Sequence, residues 1–294
     1  MTREIPPSYR GLYINLDRSG GRRERMEAQL SAFGLHDRYS RFAAIDGSTL
    51  AASGSRLKPG ELGAFHSHVA ALESGASSGL PLHVLEDDAL LSEHVKPVIE
   101  DAIAARLFDR FDILFTDTFI SPHLGMLKAL KGAFDNVLVS GERPLRLSDL
   151  QVLDLARENF ACMTSYVVGA NAIDKILALY RVELANGPAK QVDLFLRECV
   201  QSGRLRAGLL FPFVTSFDLE EVAASTIAAG SAASGPSVMV LSVLRYLFFV
   251  KRDLGYAKAC LDAATKQNRR TADPHHEMMA QALEFVLSAD FQQF

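Results

Sequence analysis

Apolar residues along the chain switch repeatedly between two rhythms. Gly11-Leu12-Tyr13-Ile14-Asn15-Leu16 is a short apolar run of the kind a buried strand shows, and Asp17 to Gly21 supplies a turn. Met26, Leu30 and Phe33 then recur at helical spacing, with Gly34 as a stop. Arg41 to Gly47 reads as a second strand and turn. Leu57-Lys58-Pro59-Gly60-Glu61 leads into a helix through Glu73, and Gly75 to Gly79 reads as a loop. Leu82-His83-Val84-Leu85 predicts a strand that stops at three consecutive acids, Glu86-Asp87-Asp88. Phe111 to Phe115 predicts another, running into Thr116-Asp117-Thr118. Tyr166 to Gly169 completes the strands, followed by a helix over Ala172 to Tyr180 with Ile173, Ile176, Leu177 and Tyr180 inward.

Strands alternating with helices predict an α/β layered fold with a largely parallel sheet. Ligands of such sheets collect outside the carboxyl ends of the strands, where both Glu86-Asp87-Asp88 and Asp117 are expected. Ser140 to Glu158 is charged and reads either as acceptor-binding loops or as a solvated helix. The small residues of Ala228 to Ser237 read as a linker, dividing the chain into a domain over 1–229, a linker over 230–237 and a helical extension over 238–294. In that extension Val238, Leu241, Leu244, Phe248 and Phe249 form an apolar stripe beside Arg245, Lys251 and Arg252. Such a stripe packs on the catalytic domain or a second subunit, or rests peripherally on a membrane. The run 238–250 is too short to span a bilayer.

Composition narrows the function classes. With 48% hydrophobic and 22% charged residues the chain has enough apolar surface to fold. A net charge of -4 gives no basic footprint for nucleic acid. Three widely spaced cysteines, Cys162, Cys199 and Cys260, fit a reducing compartment, and Met1 to Arg10 lacks a secretory pattern, so a cytoplasmic protein is expected.

Three acids in a row after a strand repel one another and are costly to desolvate, and a divalent cation relieves both problems. Mg²⁺ or Mn²⁺ takes oxygen ligands and commonly bridges one or two carboxylates to a diphosphate. The same triplet also suits an exposed turn capping the next helix.

Tyr13-Ile14-Asn15-Leu16-Asp17-Arg18, Arg22-Arg23 with Met26, Arg41-Phe42 with Ile45-Asp46-Gly47, Leu57 to Phe65, Ser67-His68 and Val84 to Asp88 occur in order, with a weaker continuation through Thr164 to Leu177 and Gln191 to Leu194. These blocks resemble the motifs of glycosyltransferase family 25, which includes lipooligosaccharide galactosyltransferases and is related to collagen hydroxylysine galactosyltransferases. The resemblance spans roughly residues 10 to 227. It implies a GT-A type nucleotide-sugar-binding (Rossmann-like) domain, a UDP-sugar donor, Mn²⁺ or Mg²⁺, inversion at the anomeric carbon, and a saccharide acceptor such as lipopolysaccharide, possible in lipid-linked form at the inner membrane. It makes Asp88 the direct metal ligand, puts Glu86 or Asp87 on the ribose or a metal-bound water, and sets Asn15 and Asp17 near the base.

Inversion by direct displacement needs a general base. Asp193 matches the family's later Asp, although Asp before Leu-Phe-Leu-Arg-Glu is also a plausible N-cap; Asp117 is the second candidate, without family support. Arg22 and Arg23 are candidates for attracting the diphosphate, and Gly60 and Gly63 around Glu61 for close approach of backbone to donor or for tight helix packing. His66 and His68 diverge by about 200° on a helix and do not share a metal. His68 is expected to orient the acidic loop, and Tyr166 to lie in the core. Metal-dependent phosphoryl or nucleotidyl transfer and a non-catalytic sugar- or protein-binding role are the competing functions; no Gly-rich phosphate motif supports the former.

Overall fold

The computed structural model describes residues 8–50, 54–120, 143–211 and 213–217. The linker and the helical extension expected after residue 227 lie outside them. In chain order the elements are β1 (Arg10–Asn15), α1 (Gly20–Ala32), β2 (Tyr39–Ala43), α2 (Pro59–Ala76), β3 (Leu82–Glu86), β4 (Ala89–Leu91), α3 (Val95–Ala104), β5 (Ile113–Ile120), β6 (Gln151–Asp154), β7 (Phe160–Val168), α4 (Ile173–Ala185), α5 (Val192–Gln201), β8 (Ala207–Phe211) and β9 (Thr215–Phe217).

Seven strands form one sheet in the order β2-β1-β3-β7-β5-β8-β6, and β4 pairs with β9 in a separate ribbon. The sheet is mixed rather than largely parallel. β1 runs parallel to β2 and β3, and β5 to β8, but β7 is antiparallel to both β3 and β5, and β6 to β8. A reversed β7 in mid-sheet turns its amino end toward the carboxyl ends of β3 and β5. That reversal brings Phe160 to Thr164 to the edge where the acidic loop emerges.

Period-two alternation sorts the strand residues between two helical layers. Leu82, Val84, Tyr166 and Val168 face one way and pack with Phe65 and Leu72 of α2, Ile176 and Tyr180 of α4, and Phe195 and Leu196 of α5. Tyr13, Leu85 and Val167 face the other way, onto Met26 and Leu30 of α1 and Val95 and Ile99 of α3. Each buried side chain of this size contributes about 1.5–3 kcal/mol.

Local signals explain the boundaries. α1 ends before Gly34, whose φ of 61° is the left-handed conformation glycine takes at little cost. α2 continues through Gly75 instead of stopping at Glu73, because a side chain at Gly75 would meet Leu82 at 2.4 Å and its absence lets the helix lie on β3. The charged middle contributes an unforeseen strand, β6, on the sheet edge. No described helix is long and apolar enough to cross a membrane.

Candidate functional site

β1 and β3 end side by side, with Ile14 opposite Glu86. Asn15, 1% exposed, sits at that end. Its Nδ2 donates to Asp87 Oδ2 at 2.7 Å and to the Ser19 carbonyl at 3.1 Å, while its Oδ1 accepts from Arg41 Nε at 2.9 Å. Arg41 also donates to the Asn15 carbonyl at 3.0 Å and pairs with the exposed Asp17. From α1, Arg22 donates to Asp87 Oδ1 at 3.0 Å. Both oxygens of Asp87 are therefore taken, and this carboxylate pins the turn after β3 to β1 and α1.

Glu86, at the end of β3, receives a different partner. His68 of α2 lies 3.1 Å from Glu86 Oε1 through Nε2 and 2.9 Å from the Tyr166 hydroxyl through Nδ1. A carboxylate only accepts, so Nε2 carries the proton and Nδ1 accepts from Tyr166. Burial holds the Tyr166 pKa well above its ordinary value, which keeps that hydroxyl a donor. His68 thus bridges Glu86 and Tyr166, and Tyr166 is a buried core residue as well as a partner of that histidine.

Asp88 is half-buried, but its Oδ1 is sealed from solvent with no hydrogen-bond partner. Its pKa is pushed up to about 8, first by burial and then by the charges of Glu86 and Asp87, against the opposing pull of Arg22. A buried carboxylate without compensation costs several kcal/mol. Its atom type and its neighbour Glu86 fit a hard divalent cation. Among the described residues no three His, Cys, Asp or Glu side chains are grouped to hold a metal alone. Glu86 and Asp88 would supply two of the ligands, which suffices for an ion completed by diphosphate and water.

Residues 10–195 match the sequence profile of glycosyltransferase family 25, described as an LPS biosynthesis protein family. The chain belongs to glycosyltransferase family 25. It is thus a glycosyltransferase built on an α/β, Rossmann-like sheet, and the family implies a nucleotide-sugar donor and a saccharide acceptor. No match to an individual curated protein was found. The family match stops within the first half of α5, short of residue 227, and includes both the acidic loop and Asp193.

The other expected site residues of this family 25 chain fall in several places. Asp117 lies inside β5, not after it, and is buried opposite Ser165. Its charge and that of Glu86 both bear on the thiol of Cys162, so it borders the same edge of the sheet as the acidic loop. Asp193 is the second residue of α5; Gln191 holds the N-cap position, so the capping role foreseen for Asp193 is not the one it plays. Asp193 Oδ2 accepts from the Cys162 N–H at 2.8 Å and Oδ1 from the Leu194 N–H at 2.8 Å. Glu61 Oε2 accepts from the Lys58 N–H at 2.8 Å and Oε1 from Gln191 at 2.6 Å, which caps α2 and braces it to α5. Gly63 serves packing: a Cβ there would lie 2.6 Å from the Gly47 nitrogen.

Cys162 is the neighbour that sequence reasoning passed over. Its φ of 81° is a conformation that costs a non-glycine residue about 1–3 kcal/mol. Only its place in a strand three residues before Ser165 hinted at anything, and no pattern marks a bulge. Glu86, Asp87 and Asp88 line neither of two cavities, of about 820 and 520 Å³; the smaller, with Pro81, Asp112 and Gly169, lies at the opposite end of the strands.

Proposed function

We propose that this family 25 enzyme transfers a hexose, galactose or glucose, from a UDP-sugar to a saccharide acceptor of the lipopolysaccharide or lipooligosaccharide type, with inversion and with Mn²⁺ or Mg²⁺. The observation that carries the reading is the sealed, partnerless Asp88 oxygen beside Glu86 at the carboxyl ends of β1 and β3. Asp88 and Glu86 would hold the cation, which when bound offsets the negative charge gathering on the departing diphosphate.

The remaining residues prepare that place. Asp87 fixes the loop through Asn15 and through its ion pair with Arg22. Arg41, held on Asn15 and Asp17, sets the rim on which the nucleoside is proposed to lie. His68 keeps Glu86 turned and supplies it with a hydrogen bond. The acceptor hydroxyl loses its proton to a carboxylate bordering this edge; of the two expected from the sequence, Asp117 and Asp193, the reading takes Asp117, since Asp193 is held by the N–H groups of Cys162 and Leu194. The free thiols of Cys162 and Cys199 are in keeping with a cytoplasmic enzyme.

Release of UDP from a panel of UDP-hexoses in the presence of Mn²⁺, with water as the slow acceptor, tests this reading. One hexose is expected to be hydrolysed in preference, and EDTA to stop it. Turnover that is unaffected by EDTA, or equal for ADP- and GDP-sugars, would remove the basis for the metal and the uridine.

A further inference from the structure

Between the pair Asp117–Ser165 and the pair Phe119–Ala161, β7 advances four residues while β5 advances two. The surplus makes a bulge that contains Cys162, in the left-handed region with φ 81°. Its N–H points to Asp193 Oδ2 at 2.8 Å, from a helix on the other side of the contact. Thr118 Oγ1 donates to the carbonyls of Ala161 at 2.7 Å and of Cys162 at 3.2 Å, which fixes the opposite side of the same peptides. The side chain so displayed lies 2.8 Å from Thr164 Oγ1 and feels the charges of Glu86 and Asp117.

A carboxylate that took a proton from an acceptor would need an oxygen turned to that acceptor. Each Asp193 oxygen already accepts a backbone N–H, one of them from the single strained residue of β7, so the carboxylate is anchored to β7 and to the first turn of α5. We propose that Asp193 is a positioning residue: it holds the Cys162 backbone in its left-handed bulge, so that the β7 wall between Glu86 and Asp117 keeps its shape, and it is not the group that receives the acceptor proton. The effect on turnover rests on the glycosyl-transfer reading above; the coupling of Asp193 to Cys162 does not.

The test uses the full chain as wild type, Asp193→Asn, Asp193→Ala, Cys162→Gly and the Asp193→Ala/Cys162→Gly double variant. Melting temperature and UDP release from UDP-galactose and UDP-glucose with Mn²⁺ are read across pH. Asn keeps an oxygen for the Cys162 N–H, so Asp193→Asn should stay within about tenfold of wild-type kcat with the same pH profile, since loss of a general base costs about 10²–10⁴-fold. Asp193→Ala should lower the melting temperature by about 3–8 °C and kcat by roughly 100-fold. Glycine adopts the left-handed conformation freely, so adding Cys162→Gly should restore most of both losses, a non-additivity that independent sites would not show. An Asp193→Asn protein that melts like wild type yet has lost 100-fold or more in kcat would make Asp193 the base and overturn the proposal. A double variant no better than Asp193→Ala in melting temperature would overturn it as well. If the wild type releases no UDP from either sugar, the donor assignment fails, while the melting cycle still decides whether Asp193 acts through Cys162.

Discussion

A carboxyl group sealed beside Glu86 and Asp87, with its pKa near 8, makes the stability of the cation-free protein depend on pH in a stated direction. Between the unfolded value of about 4 and the raised folded value, the native state keeps a proton that the unfolded chain has lost. Stability from this group is therefore present at low pH and falls as pH rises from about 4 to about 8. Asp88→Asn should flatten that fall and, in EDTA at pH 8, melt at a higher temperature than wild type, as thermal unfolding across pH would show. A wild-type protein whose stability does not differ in slope from Asp88→Asn over this window would mean that Asp88 titrates normally. The neighbouring hydroxyl makes a second case. Tyr166→Phe removes the donor to His68 Nδ1 and leaves a buried acceptor unpaired, a cost of about 1–3 kcal/mol. Its consequence for function is a loosened Glu86, expected to lower UDP-release kcat by about tenfold at a temperature where the variant is still folded.

Elements transmit these demands through a few close contacts. α2 carries His68 and lies against the loop after β2 without side chains between them, since a Cβ on Gly63 would come within 2.7 Å of the Ile45 carbonyl. Gly63→Ala should cost about 1–3 kcal/mol in denaturant unfolding, with backbone rather than a flexible side chain in the way. The rhythm of β1, α1, α2, β3 and α4 was legible because apolar spacing reports burial directly. Direction was not legible: Tyr166 to Val168 alternates in the same way whether its strand runs parallel or antiparallel, and only the folded sheet sets it against β3 and β5. Edge strand β6 was hidden because half of its four residues are exposed and its apolar signal is correspondingly faint. The acidic loop could be read in the sequence as a cluster, but the division of labour within it could not. Asp87 is committed to Asn15 and Arg22 while Asp88 Oδ1 has no partner, and nothing in three consecutive acids tells which one will meet α1. Cys162 and the role of Asp193 escaped for a related reason, since a bulge is a property of two strands and not of either one.

For the whole molecule, the family match over residues 10–195 sets the enzyme class and the mixed sheet the scaffold, and the carboxylate-rich edge is the place proposed for the donor. The net charge of -4 makes a local source of attraction for an anionic donor necessary, and Arg22, Arg41 and a bound cation are proposed to provide it. The apolar stripe of 238–250 lies outside the described residues, so its docking remains an expectation from sequence. The central claim is that Asp88 and Glu86 grip a nucleotide diphosphate through a divalent ion. Its most direct test is the melting temperature of the wild type and Asp88→Ala with UDP, ADP or GDP, each with and without Mn²⁺. A ligand at 100 times its dissociation constant adds about 2.7 kcal/mol to native stability, enough to read clearly. UDP with Mn²⁺ should raise the wild-type melting temperature, UDP alone, ADP and GDP should do far less, and Asp88→Ala should lose the metal-dependent part; an equal rise without metal, or one undiminished in Asp88→Ala, would contradict the claim.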